Sequence, residues 1–145
     1  MPTPAVEQAV EARLVLSTRR SALLRVTLRY RADDPLAVRM LFPAEYSLDA
    51  TGTEEQPARP EVTWVFARQL LAAGLAGPAG IGDVHVRPAL GPHTMVELRA
   101  AEGVALLRFD TPDLRHFLRL SFRAVPEGEE HHHLDADRAL AELLG

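Results

Sequence analysis

The stretch Val62-Thr63-Trp64-Val65-Phe66-Ala67-Arg68-Gln69-Leu70-Leu71-Ala72-Ala73-Gly74 changes its period half-way along. Val62, Trp64 and Phe66 alternate with Thr63 and Val65, the two-residue repeat of a strand with one buried face. From Ala67 onward the residues are good helix formers. Gly74 stands where a left-handed residue would end that helix. A single helix over 61–73 is the other reading. The β-branched and aromatic residues of 62–66 favour strand followed by helix.

Upstream, the two-residue period dominates. Val10, Ala12, Leu14 and Leu16 share one face of a first strand, and Leu24, Val26, Leu28 and Tyr30 one face of a second. Ser17-Thr18-Arg19-Arg20-Ser21 reads as the hairpin loop between them. Asp33-Asp34-Pro35 breaks the pattern as a turn, and Val38, Met40 and Phe42 give a third strand face. Residues 43–60, with three prolines and a glycine, read as a loop. Downstream, Gly77-Pro78-Ala79-Gly80-Ile81-Gly82 reads as a turn. Val84 and Val86, then Val96 and Leu98, mark two strands, and Ala101-Glu102-Gly103 turns into a third over 104–109.

Thr111-Pro112-Asp113 has the marks of a helix start: a hydroxyl N-cap, a proline in the first turn and an acid near the positive end of the dipole. Leu114, Phe117, Leu118, Phe122 and Val125 supply its apolar face, and Pro126 and Gly128 end it. A last helix is expected over Leu134 to Leu144, with Asp135 as a cap. The pattern predicts one α+β domain over 1–145, with about seven mainly antiparallel strands and two to three helices. It also has the outline of a duplicated sheet-then-helix unit.

Composition narrows the function classes. The chain has 145 residues, 47% of them hydrophobic and 25% charged, enough for one sizeable core. Cysteine is absent, which removes disulfides, thiolate ligands and a cysteine nucleophile. All 16 basic residues are arginine, and Ile81 is the only isoleucine, a bias that reads as GC-rich coding. The amino terminus lacks the pattern of a signal peptide, and no apolar run approaches a membrane span, so a soluble, cytoplasmic protein without membrane insertion is expected. Residues 126–145 carry six acids and one base, a net of −5, while the other 125 residues carry fourteen acids and fifteen bases, a net of +1. An acidic tail on a near-neutral body creates no broad field for nucleic acid or anionic lipid.

Motifs for chemistry are sparse. Glu129-Glu130-His131-His132-His133 contains metal-ligand types, but adjacent histidines do not readily converge on one ion, and a solvated linker is the expected role. The glycines of 77–82 leave a helix and enter a strand, the reverse of a phosphate loop. Ser17, Ser21, Ser47 and Ser121 lack a nucleophile elbow, and no spacing selects a base among His85, His93 and His116. Arg25, Arg29 and Arg31 share a strand face without interleaved aromatics. Nucleic-acid binding is therefore expected to be weak and salt-sensitive, with Glu7 and Glu11 as neutralising neighbours. No catalytic residue, metal site or cofactor is predicted. Trp64 and Phe66 fit a core or a subunit interface, and Arg68 and Gln69 fit an exposed polar surface.

The same residues carry a family resemblance. Val62 to Leu75 resembles the central signature of SsgA-like proteins. Pro78-Ala79-Gly80-Ile81-Gly82-Asp83-Val84-His85-Val86-Arg87-Pro88 follows at the expected distance. Val96-Glu97-Leu98-Arg99, Gly103 to Leu107, Phe117-Leu118 and Val125 to Glu129 extend the likeness over nearly the whole chain. Gln69, where an acid is expected, and the triple histidine depart from it. The resemblance implies a non-enzymatic regulator of sporulation-linked septation or wall remodelling in actinobacteria. It implies a Whirly-like arrangement, a homotrimer, and action at the division septum through proteins such as the tubulin-like FtsZ. The alternative is a Whirly-like binder of single-stranded nucleic acid. The partner-binding residues expected on this basis are Trp64, Phe66, Arg68, Gln69 and Asp83.

Overall fold

The structure, a computed structural model, describes residues 4–43 and 62–134. Four strands come first: β1 (Ala5–Ser17), β2 (Arg20–Arg31), β3 (Asp34–Phe42) and β4 (Val62–Ala67). The helix α1 (Arg68–Ala76) follows. Four more strands, β5 (Ala79–Ile81), β6 (Val84–Ala89), β7 (His93–Ala100) and β8 (Gly103–Asp110), lead into α2 (Thr111–Ala124). Residues 130–134 begin a further helix. The strand-then-helix reading of 62–74 therefore holds, as does the α+β class.

All eight strands form one antiparallel sheet in the order β4-β3-β2-β1-β8-β7-β6-β5. A shift of four strands along this sheet carries the first strand-and-helix set onto the second. The alternation explains the layering. Val10 and Ala12, then Leu24, Val26, Leu28 and Tyr30, then Val38 and Met40 are buried on one face, with Val86, Val96, Leu98, Leu107 and Phe109 continuing it. Leu114, Phe117 and Leu118 of α2 complete one core. Each such side chain withdrawn from water contributes about 1.5–3 kcal/mol before entropy is counted.

The sheet is curled. Helix α1 leaves β4 at one edge yet packs on β6 and β5 near the other, while α2 packs on β1 and β8. Gly74 makes the first contact possible: it is buried, and a Cβ there would collide with the Val86 side chain. Gly74 was expected to end α1. The helix instead runs on to Ala76, because this glycine is used for close approach to β6 rather than for a left-handed turn.

Other expectations are corrected. Among the described residues there are eight strands rather than about seven, since β5 lies within the glycine-rich 77–82 stretch read as a turn. Its three small or apolar residues pair with β6 but carry no period to detect, and the turn itself narrows to Gly82, at φ +87°, and Asp83. Leu16 is 43% exposed instead of buried, because the β1–β2 register shifts between Val15 and Ser17. Thr111 does not cap α2. The N-cap is Asp110, without a side-chain cap bond, and the Thr111 hydroxyl meets that of Thr94 at 2.7 Å. The expected 43–60 loop falls almost wholly outside the described residues, as does the last helix beyond Leu134. The helix that reaches Leu134 already begins at Glu130.

Candidate functional site

The β4–α1 junction places an arginine in the protein interior. The strand period buries Phe66, and one residue after the strand ends Arg68 turns inward as the first residue of α1. Arg68 is 1% exposed. Its guanidinium lies between two rings, 4.7 Å from the Tyr30 centroid and 4.2 Å from that of Phe122, a cation–π sandwich. In its own plane, Nη1 donates to the carbonyls of Ser121 at 3.0 Å and Val125 at 2.9 Å. These carbonyls belong to the C-terminal end of α2, where the helix dipole favours a cation. Nη2 donates to Glu130 Oε1 at 2.7 Å. The Arg68 Nε finds no hydrogen-bond partner among the described residues.

Glu130 completes this arrangement. It is only 7% exposed, and its Oε2 accepts the Gly128 N–H at 2.9 Å. Burial pushes its carboxyl pKa up, but hydrogen bonds from its own and the Gly128 backbone N–H and from Arg68 outweigh that, and the net direction is down. The buried Tyr30 hydroxyl donates to the Pro35 carbonyl at 3.0 Å, and burial raises its pKa. One guanidinium thus ties the start of α1, the end of α2 and the segment after it into a single body.

The predicted site residues divide around this lock. Arg68 was expected on the surface and is buried. A junction arginine gives no sign in sequence that its carboxylate partner lies far along the chain. Glu130 was read as part of a solvated linker and is instead that partner. Trp64 is half-buried beside Met40 in the β3–β4 register, and Phe66 is buried in the core. Gln69 is exposed, and its Nε2 donates to Glu127 Oε1 at 3.3 Å. Asp83 lies apart, exposed in the β5–β6 turn, where its backbone carbonyl accepts the Arg99 N–H at 2.8 Å. The structure therefore gathers Trp64, Phe66, Arg68 and Gln69 at one junction and leaves Asp83 outside it. Sequence reasoning missed Glu130, Tyr30 and Phe122 as partners of that junction. The one available signal was a carboxylate directly following a stretch of family resemblance, Val125 to Glu129.

What the junction presents outward is a surface of Val65, Ala67, Gln69, Glu127 and Glu129, all exposed. It is neutral to acidic, with two apolar side chains, Val65 and Ala67. Among the described residues, no group of three or more histidines or acids is placed to hold a metal. His131 and His132 are exposed and His133 is half-buried. No helix among the described residues is long and apolar enough to cross a membrane. A shallow depression of about 310 Å³ beside β5 is lined by Gly80, His85, Arg87, Glu97 and Arg99. There the Arg99 Nε donates to Glu97 at 2.8 Å, and His85 Nε2 meets the Gly82 carbonyl at 2.9 Å.

Known proteins are similar to this chain over most of its length. Residues 24–130 match the SsgA family, described as Streptomyces sporulation and cell division protein. The sporulation-specific cell division protein SsgB of Streptomyces coelicolor is 41% identical over 135 residues, covering 91% of this chain and 90% of its own length. SsgB of Kineococcus radiotolerans is 36% identical over 151 residues, 99% of this chain and 84% of its own. A solved structure from a study of SsgB mutations and longitudinal division in Streptomyces coelicolor superposes with a TM-score of 0.77 at 36% identity. It covers 90% of this chain and 96% of that one. The crystal structure of an SsgA-like sporulation-specific cell division protein from Thermobifida fusca gives 0.79 at 29% identity, covering 97% and 96%. With the family matched from β2 through the Glu130 that closes the Arg68 pocket, the chain belongs to the SsgA-like family of sporulation and cell division proteins.

Proposed function

We propose that the chain is a non-enzymatic adaptor of sporulation-linked cell division that works by binding other proteins. One observation carries this reading: near-full-length relatives at 36–41% identity are named sporulation-specific cell division proteins. The partners in this reading are division or wall-building proteins such as FtsZ. The place is the cytoplasmic side of the septum, and the working form is a homotrimer of Whirly-like subunits. The surface over the β4–α1 junction does the binding, with the buried Arg68–Glu130 pair holding its three segments in register. Rigid support of this kind lowers the ordering cost of association.

The alternative, a binder of single-stranded nucleic acid, has less in its favour. On the open sheet face Arg29 pairs with Glu7 at 3.4 Å, Arg39 with Asp34 at 2.7 Å and Arg99 with Glu97 at 2.7 Å. Every described aromatic side chain belongs to the core or packs against it, leaving none on that face for base stacking.

The test uses exposed positions, because Arg68 would confound binding with folding. Val65→Ser with Gln69→Ala is expected to leave the melting temperature unchanged and to weaken FtsZ recruitment to sporulation septa in cells. Fully normal recruitment places the contact elsewhere. Failure of the unmodified chain to associate with any division or wall-building protein removes the adaptor reading.

A further inference from the structure

The middle of the sheet is a short seam between two longer strands. Strands β1 and β8 pair only through Ala12–Phe109, Arg13–Arg108 and Leu14–Leu107. Beyond Leu14 and Leu107 each strand continues in its own hairpin. Val15 and Ser17 pair with β2, and Gly103 to Leu106 pair with β7. The two hairpin tips therefore share no ladder pair, and each leaves an unpaired strand edge on the side of the other. Every second residue along such an edge points its N–H and C=O into the gap. A free edge of this kind is a template for one more strand.

The walls of the gap have a definite chemistry. Residues 13–22 and 101–108 carry four arginines (Arg13, Arg19, Arg20 and Arg108) against one acid, Glu102. None of the four makes an ion pair with a described residue. Arg13 and Arg108 stand directly opposite each other, an arrangement that disfavours the isolated sheet. Beside them, Leu16 is 43%, Leu23 54% and Val104 63% exposed. Unpaired cations, exposed aliphatic side chains and open backbone groups coincide in one place.

We propose that this cleft takes an extended, acidic–apolar polypeptide segment of a partner protein as an added strand. Main-chain bonds to the β8 edge at 103–106 and the β1 edge at 15–17 hold it, carboxylates meet Arg13 and Arg108 on the open face, and aliphatic side chains on the other face lie beside the half-buried Leu14 and Ala105. Charge favours an acidic occupant, and the lack of aromatics on the exposed face favours a peptide over nucleic acid. The proposal goes beyond the adaptor reading. The cleft lies at the centre of the sheet, whereas the β4–α1 junction lies at its edge, and either surface can fail without the other.

The test is an amide chemical-shift titration of the isotope-labelled full chain. The probe is an acetylated, amidated peptide of alternating Glu and Val, six residues long by design to match a short strand, added to about 1 mM. Shifts are expected at 15–17 and 103–106, with affinity reduced about tenfold or more by Arg13→Glu and, independently, by Arg20→Glu, which lies at the hairpin tip and tests the charge without touching the seam. The Lys–Val counterpart and a peptide with alternate amides N-methylated are expected not to bind. No shift at these amides, equal shifts along β4, or binding indifferent to N-methylation overturns the proposal. So does tighter binding of oligo-dT at the same amides, or concentration-dependent shifts there in the protein alone, which would make a second copy the occupant.

Discussion

Glu130→Ala removes the carboxylate that closes the Arg68 pocket and leaves a cation of 1% exposure without its counter-charge. Breaking a buried pair from one side typically costs about 3–5 kcal/mol, because the remaining charge stays desolvated. Here the guanidinium keeps two carbonyl acceptors and two ring faces, which places the expected loss near the lower end, about 3 kcal/mol. That is a large share of an ordinary domain stability of about 5–15 kcal/mol. Urea denaturation should show it as a lower midpoint at unchanged slope. The double change Arg68→Met with Glu130→Leu should cost less than either single change, since no orphan charge remains. Acid should erase the effect. Glu130 titrates below its ordinary 4.5 in the folded chain, so the unfolded state binds more protons over that window. Its contribution is full above about pH 4.5 and is lost as pH falls through the folded pKa. The gap between the natural chain and Glu130→Gln should narrow accordingly. Single variants within about 0.5 kcal/mol of the natural chain, or a strictly additive double variant, would refute the lock.

Gly74→Ala should destabilise by about 1–3 kcal/mol despite alanine's better helix propensity, since its methyl meets Val86; a raised melting temperature would show that the α1–β6 approach is looser than described. Replacing His131, His132 and His133 together by alanine should leave zinc calorimetry unchanged, with weak or no binding before and after; tight one-to-one binding lost on replacement would establish a metal site. Light scattering at tens of micromolar is expected to give three copies of the chain, and a monomer under those conditions would exclude the homotrimer.

How legible the molecule was depended on the range of the interaction. Alternation placed Val26, Leu28 and Tyr30 on the buried face because strand direction is a local property, and the period switch at Ala67 gave the strand-to-helix junction. Gly74 was misread because glycine signals both a helix end and a close approach, and Val86 is not adjacent in sequence. Leu16 was misread because one bulge reverses the facing of everything past it. At the candidate site Gln69 was correctly placed at the surface. Arg68 was not, since its burial depends on Tyr30, Phe122 and Glu130 arriving from three other elements. Glu130 sits in the most acidic stretch of the chain, where composition predicts solvent. Only the three-dimensional meeting of α1 with the end of α2 overrides that.

The three-pair seam between β1 and β8 also sets an order of events at the ribosome. The first meander emerges complete through β4, but its inner edge, β1, must wait for the last strand of the second meander before it is paired. Helix α1 likewise waits for β6, and Arg68 for residues at the far end of the chain. The nascent protein therefore carries a long open edge and an arginine without its pocket through most of its synthesis. Its half-finished form is the state in which mispairing between neighbouring chains is easiest. Pairing of β8 covers part of that edge, and the arrival of α2 and Glu130 completes the arginine pocket.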